Sequence, residues 1–214
     1  MITRGKHAEI RLYEKQIRIF KTYKDSLYVD NEHFALSFLA SQKIMNLHPK
    51  KESAHTISMD WIKETIQPDI SNYKTRGHLR SQLSAYLKEL HQLSFEKYGQ
   101  YITHEDIFPD NVLKCCNTDK LIIIDWGLSK KRDNVYPDFA SIIMGIFNEY
   151  PEDAAELITE YSGNLSNIDC ELILRYVYEL YEEYKNIRKS NNVEIKSLDS
   201  RLKQAINILN LLSG

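Results

Sequence analysis

Glycine and proline are scarce in this chain, with seven and five among 214 residues. That scarcity excludes collagen-like and linker-like classes. Cysteine is scarcer still: there are three, two of them adjacent at Cys115 and Cys116. They cannot build a secreted disulfide framework, so a reducing compartment, the cytoplasm, is expected. Charge of one sign is missing too, since 28 basic residues face 30 acidic ones for a net −2. The electrostatic footprint of a dedicated nucleic-acid binder is therefore absent, and no direct nucleic-acid partner is expected. No apolar run approaches the roughly eighteen residues of a membrane span, so no membrane partner is expected. The start, Met1-Ile2-Thr3-Arg4-Gly5, becomes charged before an apolar stretch forms, and no signal peptide is expected. Seven histidines never fall in H-E-x-x-H spacing, which argues against a catalytic zinc.

What remains is a globular composition, 43% hydrophobic and 27% charged, long enough for one domain or two small lobes sharing a core. Alternation of Ile10 with Leu12 and of Ile17 with Ile19, across the polar break Glu14-Lys15-Gln16, predicts a hairpin. From Asn31 to Lys43 the period becomes helical, with Asp30 or Asn31 as N-cap. A strand is expected within His55 to Ile62. Leu79, Leu83, Leu87 and Leu90 stack on one face of a helix from about His78 to Leu93. Val112 to Cys116 and Leu121 to Ile124 flank the turn Asn117-Thr118-Asp119-Lys120 and predict a second hairpin. Helices are expected at Ile142 to Phe147, Glu152 to Tyr161, Leu172 to Tyr184 and Leu198 to Leu212. The order fits an α+β chain with a small sheet lobe, residues 1–60, and a mostly helical lobe, residues 61–214, in a single domain.

The chemistry concentrates in His104-Glu105-Asp106-Ile107-Phe108-Pro109-Asp110-Asn111 and, across the second hairpin, Ile124-Asp125-Trp126-Gly127. Asp106 and Asn111 end a tight Pro-containing loop. The hairpin returns the chain so that Asp125 can lie beside them. Two carboxylates and an amide oxygen then share one mouth, a hard-oxygen set suited to Mg²⁺ and, through it, to a nucleoside triphosphate.

These two segments resemble the H-x-D-x-x-x-x-N and D-F-G motifs of protein-kinase-like phosphotransferases. The resemblance implies a two-lobed kinase-like fold and an ATP-dependent, Mg²⁺-dependent transfer to a hydroxyl. It implies Asp106 as catalytic base, Asn111 and Asp125 as metal ligands, and His104 as packing beneath the loop. Gly127 would let the chain turn sharply after Asp125. In the first lobe, Gly5 would be the remnant of a glycine-rich loop over the phosphates. Lys21 would anchor phosphates, with Lys24 as competitor, and Lys21→Ala is expected to leave the fold intact. Glu32 would pair with that lysine, Asp30 and Glu9 being alternatives. Met59-Asp60-Trp61-Ile62 resembles the hinge that holds adenine through backbone groups, and Asp138 the aspartate that ties the helical lobe to the catalytic loop.

Departures from the motif narrow the branch. Glu105 stands where conventional protein kinases carry an Arg that reads an activation-loop phosphate, and an acidic side chain cannot do that. No A-P-E signature follows Asp125. Trp126 and the early Asp138 look more like the aminoglycoside and choline phosphotransferases, whose motifs read H-G-D-x-x-P-x-N and I-D-W. Gly127-Leu128-Ser129-Lys130 looks like protein kinases, and the length resembles the minimal atypical kinase subunit of the tRNA threonylcarbamoylation machinery. The expected acceptor is a small molecule or a protein hydroxyl. An atypical protein kinase or partner-dependent ATPase, and a nucleotide-binding pseudokinase, are the alternatives. Lys130-Lys131-Arg132 reads as a solvated loop face, placed where an anionic acceptor could meet it.

Overall fold

The structure is a computed structural model that describes residues 2–4, 8–13, 17–45, 47–62, 64–163, 168–190 and 196–213. Five strands form an antiparallel sheet: β1 (Ile2–Arg4), β2 (Ala8–Tyr13), β3 (Arg18–Tyr23), β4 (Lys50–Lys51) and β5 (Thr56–Asp60). Their order is β1-β2-β3-β5-β4. The expected hairpin is β2–β3, with Ile10 opposite Lys21. This register places Lys21 and Tyr23 on one face, because strand side chains alternate.

Helix α1 (Ser26–Ser41) follows at once. Its N-cap is Asp25, whose carboxyl accepts from the Leu27 amide at 2.9 Å, and not Asp30 or Asn31. The apolar face begins earlier than the phenylalanine pairs suggested, with buried Val29. Asp30 is instead exposed and pairs with Lys51.

The second half is mostly helical. Helix α2 (Tyr73–Tyr98) is capped by Asn72, which accepts from Lys74 and Thr75, and it ends at Gly99 with φ 66°. It buries Leu79, Leu83, Leu87 and Leu90 as the spacing predicts. Two small sheets lie beside it. One pairs β7 (Tyr101–Thr103) with β10 (Lys130–Arg132). The other is the second hairpin, β8 (Val112–Cys115) with β9 (Leu121–Ile123), joined by a third strand, β6 (Thr65–Ile66), on its edge. Cys116 falls in the exposed turn rather than in the strand.

Helices α3 (Tyr136–Met144), α4 (Pro151–Ser162), α5 (Cys170–Ser190) and α6 (Lys196–Ser213) complete the chain. Every residue from Pro137 to Met144 is buried, the pattern of a helix enclosed on all sides. The expected helix at Ile142 to Phe147 is thus the end of a longer one, which stops at Gly145. A Cβ there would stand 2.3 Å from the Ile107 carbonyl oxygen and 2.5 Å from that of Ser141. The bare backbone allows Ile146 N–H to donate to the Ile107 carbonyl at 3.1 Å. Among the described residues no helix is long and apolar enough to cross a membrane.

Gly145→Ala should therefore push the end of α3 away from the 104–111 loop. We expect a destabilisation of about 1–3 kcal/mol, the usual cost of overpacking, read as a lowered chemical-denaturation midpoint. A variant as stable as the parent would mean that this contact relaxes freely.

Candidate active site

Helix α3 holds the 104–111 loop by its backbone. Asp138, fully buried, accepts the amides of His104 at 2.8 Å and Glu105 at 2.9 Å through Oδ1, and contacts His91 Nε2 at 3.0 Å through Oδ2. Ser141 Oγ accepts the Ile107 amide at 2.5 Å. His104 packs edge-on against Trp126 at 4.5 Å, its Nε2 donating to the Ile124 carbonyl at 2.9 Å and its Nδ1 accepting the Asp106 amide at 3.2 Å. The Nε2–H tautomer satisfies both bonds. The packing role expected for His104 is what its contacts describe.

This frame fixes Asp106. Its Oδ2 accepts from Asn111 Nδ2 at 2.8 Å and its Oδ1 from the Tyr184 hydroxyl on α5 at 2.7 Å. Burial pushes the Asp106 carboxyl above the usual carboxylate range, against the pull of the Tyr184 hydroxyl, His104 and Asn111. The hairpin brings the next carboxylate back as expected. Val112 faces Ile123, and the Ile124 amide donates to the Asn111 carbonyl at 2.9 Å, which leaves Asn111 and Asp125 adjacent.

The residue in the left-handed conformation after that hairpin is Asp125 itself (φ 65°), not Gly127. Gly127 serves space instead: a Cβ on it would stand 3.0 Å from the Tyr23 hydroxyl. That hydroxyl donates to Glu32 Oε2 at 2.6 Å and lies 3.2 Å from Asp125 Oδ1. Lys21 Nζ bonds the same two partners, Glu32 Oε1 at 2.8 Å and Asp125 Oδ1 at 2.9 Å. Burial pulls the Lys21 ammonium down, but the two carboxylates more than offset it, so its affinity for the proton is raised. Confinement pushes the Asp125 carboxyl up and Lys21 reverses this, leaving it below the ordinary range. The Asp125 side chain is 48% exposed, so solvent moderates that pairing.

The competing assignments lie elsewhere. Lys24 is exposed, Asp30 pairs with Lys51, and Glu9 accepts from Arg11. Gly5 lies outside the described residues.

A cavity of about 290 Å³ opens between the sheet and the helices. Lys21, Tyr23, Asp106, Asn111 and Asp125 line it, together with Ala8, Ile10 and Leu128 on the sheet side and Tyr184, Arg188, Leu198 and Arg201 on the helical side. Met59, Asp60, Trp61 and Ile62 do not line it. The Asp60 and Trp61 amides donate to the Leu47 and Ile17 carbonyls at 2.8 and 2.9 Å, and the Asp60 carboxyl takes Arg18 and His48. Met59 is buried in β5. Among the described residues no group of three or more His, Cys, Asp and Glu side chains could hold a metal. Asn111 Oδ1 and Asp125 Oδ2 accept no hydrogen bond from them. Two such oxygens beside phosphates and water are what magnesium commonly takes.

Glu105 is 3% exposed and sits at φ 64°. It receives Arg132 through Nε at 2.6 Å and Nη2 at 2.9 Å, Lys130 Nζ at 3.0 Å, and the Thr103 hydroxyl at 2.9 Å. Lys131 lies 4.5 Å from the ring centroids of both Phe34 and Tyr98. The basic triplet is thus a strand rather than a loop, exposed at Lys130 and Lys131 as expected, yet engaged with the protein's own groups. Sequence reasoning also missed Tyr23, Tyr184 and Arg201. Only Tyr23 carried a local signal, its shared strand face with Lys21.

Lys21 is also more structural than the sequence implied. Its removal strands Glu32, which is 1% exposed, without its cation. Lys21→Met should cost about 3 kcal/mol, as breaking a buried pair does, and Lys21→Met with Glu32→Leu should recover most of it. Thermal and denaturant unfolding of both variants would read this. A single variant of parental stability would contradict it.

No protein-family model matches the chain, nor does any curated protein sequence. Solved structures do. The choline kinase LicA from Streptococcus pneumoniae superposes with a TM-score of 0.65 at 14% identity, over 98% of this chain and 91% of its own. A choline/ethanolamine kinase family protein from Mesorhizobium loti gives 0.62 at 13%, over 99% and 87%. The aminoglycoside phosphotransferase APH(3'')-Id from Streptomyces rimosus gives 0.51 at 13%, over 100% and 92%. The likeness is one of fold: this chain has the protein-kinase-like fold.

Proposed function

We propose that this chain is an ATP-dependent phosphotransferase that moves the γ-phosphoryl group to an alcohol hydroxyl. The observation that carries the reading is one cavity bounded by Asp106, Asn111 and Asp125 at its mouth and Lys21 beside them. Phosphoryl transfer asks mainly for positioning and charge stabilisation, and these groups are held rigidly enough for both. Asp106 accepts the acceptor's hydroxyl proton; burial makes it a stronger base than an ordinary aspartate. Tyr184 and Asn111 fix its two oxygens. Lys21, steadied by Glu32, presents its charge to the phosphates. Asn111 and Asp125 would hold magnesium, which neutralises phosphate charge when bound. Solved neighbours include LicA in complex with AMP, in line with a nucleotide between the lobes.

Residues 1–60 act as the small lobe and 61–214 as the helical lobe of one catalytic domain. The segment from Asp125 to the start of α3 at Tyr136 leaves little room for a peptide-binding activation segment, which favours a small-molecule acceptor over a protein. An ATP consumer with three unpaired cysteines suits the cytoplasm.

Asp106→Asn keeps shape and removes the charge. It should lower phosphoryl transfer by about a hundredfold or more while nucleotide affinity, measured on the same preparation, holds. Undiminished transfer would remove Asp106 as base. A wild type that binds ATP yet never turns it over would make the chain a pseudokinase.

Tyr184→Phe should act through pH. The hydroxyl stabilises the Asp106 carboxylate, so its loss raises that group's pKa further. Transfer requires the ionised form, and activity should then fail at a higher pH on acidification than in wild type. An acid limb in the same place would sever Tyr184 from the base.

A further inference from the structure

A carboxylate that binds a metal through one oxygen is aimed by whatever holds the other. For Asp125 the held oxygen is Oδ1, and among the described residues two side chains reach it. Lys21 Nζ stands at 2.9 Å and the Tyr23 hydroxyl at 3.2 Å. Both come from β3, two positions apart on one face of the strand. Both also line the cavity beside Asp125. They are not equivalent donors.

Lys21 carries three ammonium hydrogens on a flexible stem. Glu32 Oε1 takes one at 2.8 Å and Asp125 takes another. A bound nucleotide brings phosphate oxygens of high negative charge, which compete for the same ammonium. Glu32 is buried and keeps its hold, whereas the half-exposed Asp125 is the partner that phosphates displace.

Tyr23 is fixed where Lys21 is free to turn. It is 4% exposed, its amide donates to the His55 carbonyl at 2.8 Å, and its ring centre lies 5.7 Å from that of Tyr28. The bare backbone of Gly127 backs the hydroxyl so closely that a Cβ would stand 3.0 Å from it. The single phenolic hydrogen goes to Glu32 Oε2 at 2.6 Å. Rotation about the C–O bond alone, with no heavy atom moved, turns it to Asp125 Oδ1. Glu32 then still has Lys21.

We propose that Tyr23 is a positioning residue for the metal-binding carboxylate. As nucleotide phosphates draw Lys21 toward themselves, the Tyr23 hydroxyl takes over Asp125 Oδ1, and Oδ2 stays presented to magnesium. This rests on the phosphotransferase reading and extends it to a residue outside both motifs.

Two calorimetric titrations on the full chain test it. Magnesium is titrated into protein saturated with a non-hydrolysable ATP analogue, and the analogue is titrated separately in the presence of EDTA. Tyr23→Phe keeps the ring and removes the hydroxyl. We expect it to weaken magnesium about tenfold, the low end for losing the outer partner of a metal ligand, and to leave metal-free affinity for the analogue as in the wild type. A purely structural role would lower the denaturation midpoint without moving the magnesium constant, so both are recorded. Gly127→Ala crowds the hydroxyl without removing it. It should weaken magnesium in the same direction, and the test stands on it if Tyr23→Phe fails to fold. An unchanged magnesium constant overturns the proposal. So does a loss confined to metal-free affinity, which would assign Tyr23 to the Lys21–Glu32 pair instead. A wild type that binds the analogue neither with magnesium nor without it removes the phosphotransferase reading, and this proposal with it.

Discussion

A single buried side chain, Asp138, sets the shape of the active loop. Its carboxyl has no solvent contact and is filled by two consecutive backbone amides and a histidine ring. Buried polar groups need such partners, and here each partner belongs to the 104–111 loop or to α2 behind it. The amides of His104 and Glu105 both reach Oδ1, and Glu105 then turns the chain by taking the left-handed conformation, an uncommon choice for a residue other than glycine. Asp106 leaves that bend already aimed. Ser141 and the bare backbone at Gly145 hold the loop one turn and two turns further along the same helix.

The sheet is joined to this frame through charge. Lys21 and Tyr23, neighbours on one face of β3, both reach Glu32 on α1 and Asp125 beyond the hairpin. Asn31 adds a bond from α1 to the Gly127 carbonyl at 3.1 Å. The sheet, the first helix and the 125–127 segment thus meet in one network, where a buried cation is balanced by one buried and one half-exposed carboxylate. That asymmetry suits the site. Glu32 is fully committed, whereas Asp125 keeps an oxygen for a ligand.

Local pattern revealed what local pattern controls. The polar letters of 104–111, the hairpin that follows and the period of α2 are short-range features, and the structure reproduces them. The start of α1 was misread because the cap, Asp25, precedes an apolar turn that lacks the phenylalanine spacing. Strand β6 is two residues long and owes its existence to the edge of β8, so nothing in its own letters announces it. Tyr184 reaches Asp106 across 78 positions of sequence, and Arg132 reaches Glu105 across 27. Contacts of that span follow from how α5 packs and how β10 pairs with β7, which no periodicity encodes. The hinge-like run 59–62 had the right composition for its expected role, yet the Leu47 and Ile17 carbonyls take up two of its amides.

The Glu105 clamp has a temporal consequence. Where an arginine stands before the base, the segment beyond the metal-binding aspartate can be ordered by a phosphate added after synthesis. Here the polarity is reversed: the acid sits in the loop, the bases sit in β10, and both come from the same chain. The fastening is complete as soon as the protein has folded, with no second enzyme to install it and none to take it away. The order of this segment is thus a property of the folded chain itself.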